Sequence, residues 1–174
     1  MIKSTLTNPK QMLHLLGLGS LFLMMMALYF EHFMGLHPCK MCIWQRIPHI
    51  AIIGLGLLSF VPNLQPLHRP LLVLMSVILL IGAGIAFWHS GVELKIFSGP
   101  ASCSAAMSLS GDPSALLDQI LAAPIVRCDE VPWSFLSLSM ANWNFVISFG
   151  MMITAVIAFF QSKPNINQDI HNGV

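Results

Sequence analysis

Four apolar runs, each close to the thickness of a bilayer, constrain this chain more than any other feature. Met12 to Phe30 is apolar apart from His14. At 1.5 Å per residue such a run spans about 28 Å, against a hydrocarbon core of roughly 30 Å. Comparable runs cover 42–61, 71–88 and 143–160. Only 9% of the residues are charged and 56% are hydrophobic, whereas a water-soluble domain carries roughly 25% charged residues. Because lipid cannot satisfy backbone N–H and C=O groups, the runs must be helices. The expected fold is therefore an all-α membrane protein, an antiparallel bundle of four transmembrane helices in a single domain over residues 1–174.

The connections then divide unequally. Tails fall at 1–11 and 161–174, a short loop at 31–41, a tight link at 62–70 and a long loop at 89–142. The first run exceeds a signal-peptide core of about 7–15 residues, and no A-x-A site follows it, so it reads as a retained helix. Pro48 falls inside the second span and removes a backbone donor, which predicts a kink or irregular turn just past Arg46. Loops as long as 89–142 usually carry structure or function. Within it, Asp112 reads as an N-cap and Pro113 as the first helical residue. Leu116, Leu117, Ile120 and Leu121 then fall on one face, giving a short amphipathic helix that ends near Pro124.

The chemistry concentrates in Pro38-Cys39-Lys40-Met41-Cys42-Ile43-Trp44-Gln45-Arg46, where a polar connection becomes the second span. Cysteines at C-x-x-C spacing close a strained, readily exchanged disulfide, and a helix N-terminus lowers a thiol pKa. Arg46, four residues after Cys42, shares a helix face with it. A permanent charge in a membrane helix marks a functional site by default. The plainer alternatives are a zinc half-site, or buried thiols with Arg46 snorkelling to the headgroups. Four cysteines allow three pairings, and proximity favours Cys39–Cys42 with Cys103–Cys128. The second bond could simply staple its loop, worth roughly 3 kcal/mol in the chain-entropy picture.

Persistent disulfides require an oxidising compartment. Basic residues divide evenly between the two sides, with Lys3, Lys10, Arg69 and Lys163 opposite Lys40, Arg46, Lys95 and Arg127. Their density is higher on the shorter tail side, which supports tails in the cytoplasm. Trp44, Trp88, Trp133 and Trp143 mark the cysteine side as an aromatic belt. The expected topology has both termini cytoplasmic and all four cysteines outside. A Gly-rich phosphate loop, H-E-x-x-H and G-x-S-x-G are absent from the sequence, and no basic cluster suggests nucleic acid. The methionines, including Met24, Met25 and Met26, read as packing, and His32 and His49 as structural.

Two sulfur pairs on one face, at a helix mouth and in a loop, suit the passing of a disulfide. Here the sequence resembles the DsbB family, membrane proteins that reoxidise the periplasmic thiol oxidase DsbA. The resemblance rests on four spans, Pro-Cys-x-x-Cys with Arg46 four residues on, a long loop holding Cys103 and Cys128, Cys128-Asp129-Glu130, and Trp133-Ser134-Phe135-Leu136 before the last span. It implies a bacterial inner-membrane protein in which electrons from a thioredoxin-fold, DsbA-like partner enter at Cys103–Cys128. They then pass to Cys39–Cys42 and leave through Cys42 to a bound quinone, ubiquinone or else menaquinone, with Arg46 beside the quinone oxygen. His89 matches the position of a histidine near the family's quinone site, where it could donate a hydrogen bond or a proton; an interfacial histidine simply facing water is the plainer alternative. Where the family often shows Glu, this chain has Gln45. DsbA-type oxidants sit at about −120 mV, so only a higher-potential acceptor can regenerate one, and a fixed cation stabilises charge developing on a reduced quinone. Two rivals are a vitamin K epoxide reductase-like thiol–quinone enzyme, which usually carries its C-x-x-C late in the bundle, and a haem- or metal-binding membrane module without oxidase activity.

Overall fold

A computed structural model of the chain describes residues 7–61, 66–100, 103 and 126–162. The amphipathic helix expected at 112–124 lies outside the described residues, as do most of both tails. Within them stand four helices long and apolar enough to cross a membrane: α1 (Pro9–His32), α2 (Lys40–Leu58), α3 (His68–Glu93) and α4 (Met140–Gln161).

Three of the four helices start on a side chain that takes up free backbone donors of the first turn. Asn8 caps α1 by accepting from the backbone N–H of Lys10 and of Gln11, with Pro9 at the first helical position. Cys39 caps α2 and Ser139 caps α4, through Cys42 N–H and Asn142 N–H respectively. Helix α3 continues to Glu93, past the expected end at Trp88, because the polar side chains there find partners inside the bundle. His89 and Glu93 are engaged as described below, while the Ser90 hydroxyl donates back to the Ala86 carbonyl of its own helix at 2.9 Å.

Packing uses small residues where backbones approach. A Cβ on Gly56 would lie 3.0 Å from Gly17 Cα and 3.3 Å from the Leu13 carbonyl oxygen, so α1 and α2 meet backbone to backbone. Helix α2 continues unbroken through Pro48, whose ring rests against Gly82 of α3. The main apolar core, including Leu13, Leu16, Ile52, Leu72, Met75, Leu79 and Ala155, fills the half of the bundle away from the cysteines. Outward-facing Ile50, Leu57, Val77, Leu80 and Ile153 remain exposed, as lipid-facing positions should.

Before α4 a two-stranded antiparallel hairpin forms, β1 (Ser134–Phe135) and β2 (Leu138–Ser139), with Ser134 opposite Ser139 and Phe135 opposite Leu138. Leu136 and Ser137 take positive φ at its tip, the geometry of a turn that matches strand twist. The Trp143 indole N–H donates to the Phe135 carbonyl at 3.0 Å and ties the hairpin to α4.

Candidate functional site

Cys39 ends an extended connection and begins a helix, and that position decides its chemistry. Its sulfur accepts from the Cys42 backbone N–H at 3.2 Å, lies 2.7 Å from the Cys42 sulfur, and lies 3.5 Å from His89 Nε2. The hydrogen bond from the Cys42 thiol, then those from His89 and from the Cys42 backbone, outweigh burial and bring the Cys39 thiol from an ordinary 9.0 down to about 5. Cys39, rather than Cys42, is thus the sulfur held as thiolate, because only the cap position faces the free N–H groups of the first turn.

Cys103 and Cys128 are disulfide-bonded, their Cα atoms 5.5 Å apart. Cys128 packs with Cys39, Met41 and Val92 in one buried cluster, against which Cys42 and Cys103 also rest. Residues 127–130 are fastened to the end of α3. Lys95 donates to the Asp129 carbonyl at 2.8 Å and pairs with its carboxylate, which Arg127 also grips at 2.9 and 2.8 Å. These two cations, Arg127 foremost, hold the Asp129 carboxyl well below the usual range. A cleft of about 440 Å³, lined by Val92, Lys95, Phe97 and Asp129, borders this disulfide on the side away from the C-x-x-C.

On the inner side of the C-x-x-C lies a cavity of about 670 Å³. Its walls include Phe22, Met26, Phe30, Trp133, Phe135, Trp143 and Ile147, and its polar lining includes Cys39, Cys42, Gln45, Arg46, His49, His89, Glu93 and Asn144. Phe30 and Trp133 lie 4.7 Å apart at their ring centroids, and Trp133 stacks on Phe135 at 6.2 Å. An aromatic, apolar cavity of this size with a few convergent polar groups suits a planar lipid-soluble ring, so the residues fit a quinone. Arg46 lines it with its guanidinium paired to Glu31 at 2.6 Å. A guanidinium carries several N–H donors in a fixed fork, so one carboxylate contact does not exhaust it.

Behind the sulfurs runs a largely buried polar network. Gln45 Nε2 lies 2.7 Å from His89 Nδ1, and Asn144 Nδ2 donates to Gln45 Oε1 at 2.6 Å. His49 Nε2 lies 2.9 Å from Asn144 Oδ1, which also accepts from Ser148 at 3.1 Å, and His49 Nδ1 lies 3.3 Å from the Ser20 hydroxyl. Glu93 accepts a short hydrogen bond from Ser139 and stands 3.9 Å from His89 Nε2. All four helices contribute to this network.

The structure therefore brings Cys39, Cys42, Cys128 and His89 together, with Cys103 bonded to Cys128 and Arg46 on the adjoining cavity. Cys39, Cys42 and His89 also offer ligand atoms within 4.8 Å of one another, the spacing of a soft-metal site. Sequence reasoning missed Glu31, Glu93 and Asn144 and set His49 aside. Glu93 was reachable, since it follows His89 by one helical turn. Asn144 was visible only as an amide at the start of an apolar run. His32 bonds back to the Leu28 carbonyl of its own helix and stays away from the site.

The family model described as "Disulfide bond formation protein DsbB" matches residues 9–158. Proteins named "Disulfide bond formation protein B" are similar over most of the chain. That of Aeromonas hydrophila is 35% identical, over 82% of this chain and 83% of its own. That of Pasteurella multocida is 35% identical over 91% and 90%, and that of Shewanella amazonensis 32% identical over 83% and 86%.

Proposed function

This chain belongs to the DsbB family of disulfide bond formation proteins, and from that premise we propose how its cysteines, Arg46 and His89 divide the reaction. It is a multi-pass inner-membrane thiol oxidase that reoxidises DsbA and is linked to a membrane quinone. We treat residues 1–174 as one membrane domain, with both termini cytoplasmic and the four cysteines periplasmic.

The reduced DsbA-like partner attacks the Cys103–Cys128 disulfide at Cys103, which is only partly buried and borders the outer cleft. A mixed disulfide forms and Cys128 leaves as thiolate. The partner's second thiol then displaces Cys103, so the partner departs oxidised and two electrons remain on Cys103 and Cys128. Burial of Cys128 against Cys39 is the observation that carries the next step. Cys128 attacks Cys39 of the Cys39–Cys42 disulfide and expels Cys42. Cys103 closes again on Cys128 and releases Cys39 into the site where Cys42, the helix N-terminus and His89 hold it as thiolate.

A quinone, when bound, supplies a two-electron, two-proton acceptor at a potential above that of the DsbA-type carrier. Cys42 lines the cavity and would be the sulfur next to the acceptor, and closing the Cys39–Cys42 bond would release the electron pair. Arg46 supplies a fixed cation for developing negative charge. His89 hydrogen-bonds the departing Cys39 sulfur. We assign ubiquinone as the acceptor, with menaquinone as the alternative.

The test is oxidation of a reduced DsbA-like protein by the purified chain in detergent, with each quinone supplied separately. Multiple turnovers that depend on quinone are expected. A single turnover regardless of quinone would overturn the assignment.

A further inference from the structure

Cys39 and His89 face each other, but a histidine can present either a hydrogen or a lone pair to a sulfur, with opposite consequences. A hydrogen on Nε2 stabilises the thiolate; a lone pair there repels it. The ring itself has no preference large enough to decide. What decides is the partner of Nδ1, and here that partner is Gln45, whose own orientation is set one residue further back.

We propose that Gln45 and Asn144 are positioning residues that hold His89 in its Nε2–H tautomer, with that hydrogen on the Cys39 sulfur. This deepens the reading above and rests on Cys39 being the sulfur exchanged. The chain of hydrogen bonds starts at Asn144. Its carbonyl oxygen is taken by two donors, the Ser148 hydroxyl at 3.1 Å and His49 Nε2 at 2.9 Å. Because that oxygen can only accept, the His49 hydrogen sits on Nε2, which leaves Nδ1 to accept from the Ser20 hydroxyl, 3.3 Å away. With its oxygen occupied, Asn144 turns its amide N–H toward Gln45 Oε1 at 2.6 Å. Gln45 in turn points its own N–H at His89 Nδ1, at 2.7 Å. Nδ1 therefore accepts, and the ring hydrogen sits on Nε2, 3.5 Å from the sulfur.

Every bond from Asn144 to the sulfur runs the same way. Gln45, His49, His89 and Ser148 are buried and Asn144 is half-buried, so water competes little for these groups. A carboxylate cannot replace either amide without breaking the direction, because each amide donates on one side and accepts on the other. The remaining titratable groups around the pair are Cys42 on α2 and Glu93 on α3, 3.9 Å from Nε2. His49 stands behind Asn144, and Arg46 and Glu31 stand across the cavity.

The discriminating variant is Asn144→Asp, equal in shape but unable to donate. Gln45 must then give its N–H to the new carboxylate and turn its carbonyl to Nδ1, which moves the His89 hydrogen to Nδ1. Nitrogen-15 NMR of ring-labelled, fully reduced protein in detergent reads the tautomer directly. Wild type is expected as Nε2–H and the variant as Nδ1–H. Alkylation of Cys39 at pH 6, located by mass spectrometry, is expected to fall about tenfold in the variant, the scale of one hydrogen bond to a charged group. A merely electrostatic effect of the new carboxylate would slow alkylation without moving the hydrogen. Retention of Nε2–H in the variant, or Nδ1–H in wild type, overturns the proposal. Should Asn144→Asp fail to fold, Gln45→Leu serves instead: a mixture of tautomers is expected, and unchanged Nε2–H refutes the role. Neither measurement includes quinone or a DsbA-like partner, so failure of the proposed oxidase activity would appear separately.

Discussion

His89 Nε2 stands 3.5 Å from the Cys39 sulfur although 50 positions separate them in sequence. The contact joins the last turn but one of α3 to the N-cap of α2, so the reactive sulfur is set by two helix ends at the same depth. One supplies backbone N–H groups and the other a side chain. Their combination gives the thiolate its stability and sets what perturbs it.

The pH dependence follows in sign. The folded-state pKa of Cys39 is depressed from 9.0 to about 5, so its stabilising contribution to the reduced fold is complete above pH 9 and is lost as pH falls toward 5. Thermal unfolding of the fully reduced protein in detergent should show stability rising from about pH 5 to about pH 9, and Cys39→Ala should remove much of that rise. Identical profiles for the two proteins would contradict the assignment.

A trapped exchange intermediate is expected next. In the double variant Cys42→Ser, Cys103→Ser, the remaining sulfurs lie in one buried cluster, so oxidation should join Cys39 to Cys128 within a monomer. Peptide mapping checks this. In Cys39→Ser, Cys103→Ser the corresponding Cys42–Cys128 bond should form markedly more slowly, because Cys42 only rests against the cluster that Cys39 and Cys128 share.

Arg46→Ala removes one cation from the cavity wall, and the apparent KM for quinone should rise roughly tenfold, the worth of one charge-assisted contact. The same change strands the Glu31 carboxylate that Arg46 pairs at 2.6 Å. Glu31→Gln with Arg46→Ala separates the two effects: stability should recover in thermal unfolding while the raised KM persists. Recovery of KM in the double variant would show that Arg46 acts only by neutralising Glu31.

Helix contact at the glycine pair makes a packing prediction. Gly56→Ala places its methyl 3.0 Å from the Gly17 backbone, and should destabilise by about 1–3 kcal/mol as α1 and α2 separate. Gly54→Ala, with open space around it, should be neutral or slightly stabilising. Unfolding in mixed micelles compares them. Equal effects would mean that the close approach contributes nothing.

What the sequence decided by itself was everything governed by length and local spacing. The four apolar runs required four helices, since lipid leaves the backbone no other way to satisfy its hydrogen bonds. The C-x-x-C at a polar-to-apolar boundary, with Arg46 one turn on, marked the redox centre because those contacts lie within a few residues. Helix ends were less legible: α3 reaches Glu93 because His89 and Glu93 find partners on α2 and at the start of α4, which no local hydropathy reveals. Tertiary structure alone decided that His89 reaches the Cys39 sulfur, that Arg46 meets Glu31, and that Gln45 and Asn144 connect His89 to His49. Those pairings depend on the rotation and depth of one helix against another. Such register is fixed by side-chain packing between segments far apart in the chain, such as the Gly17–Gly56 approach and the seat of Pro48 on Gly82.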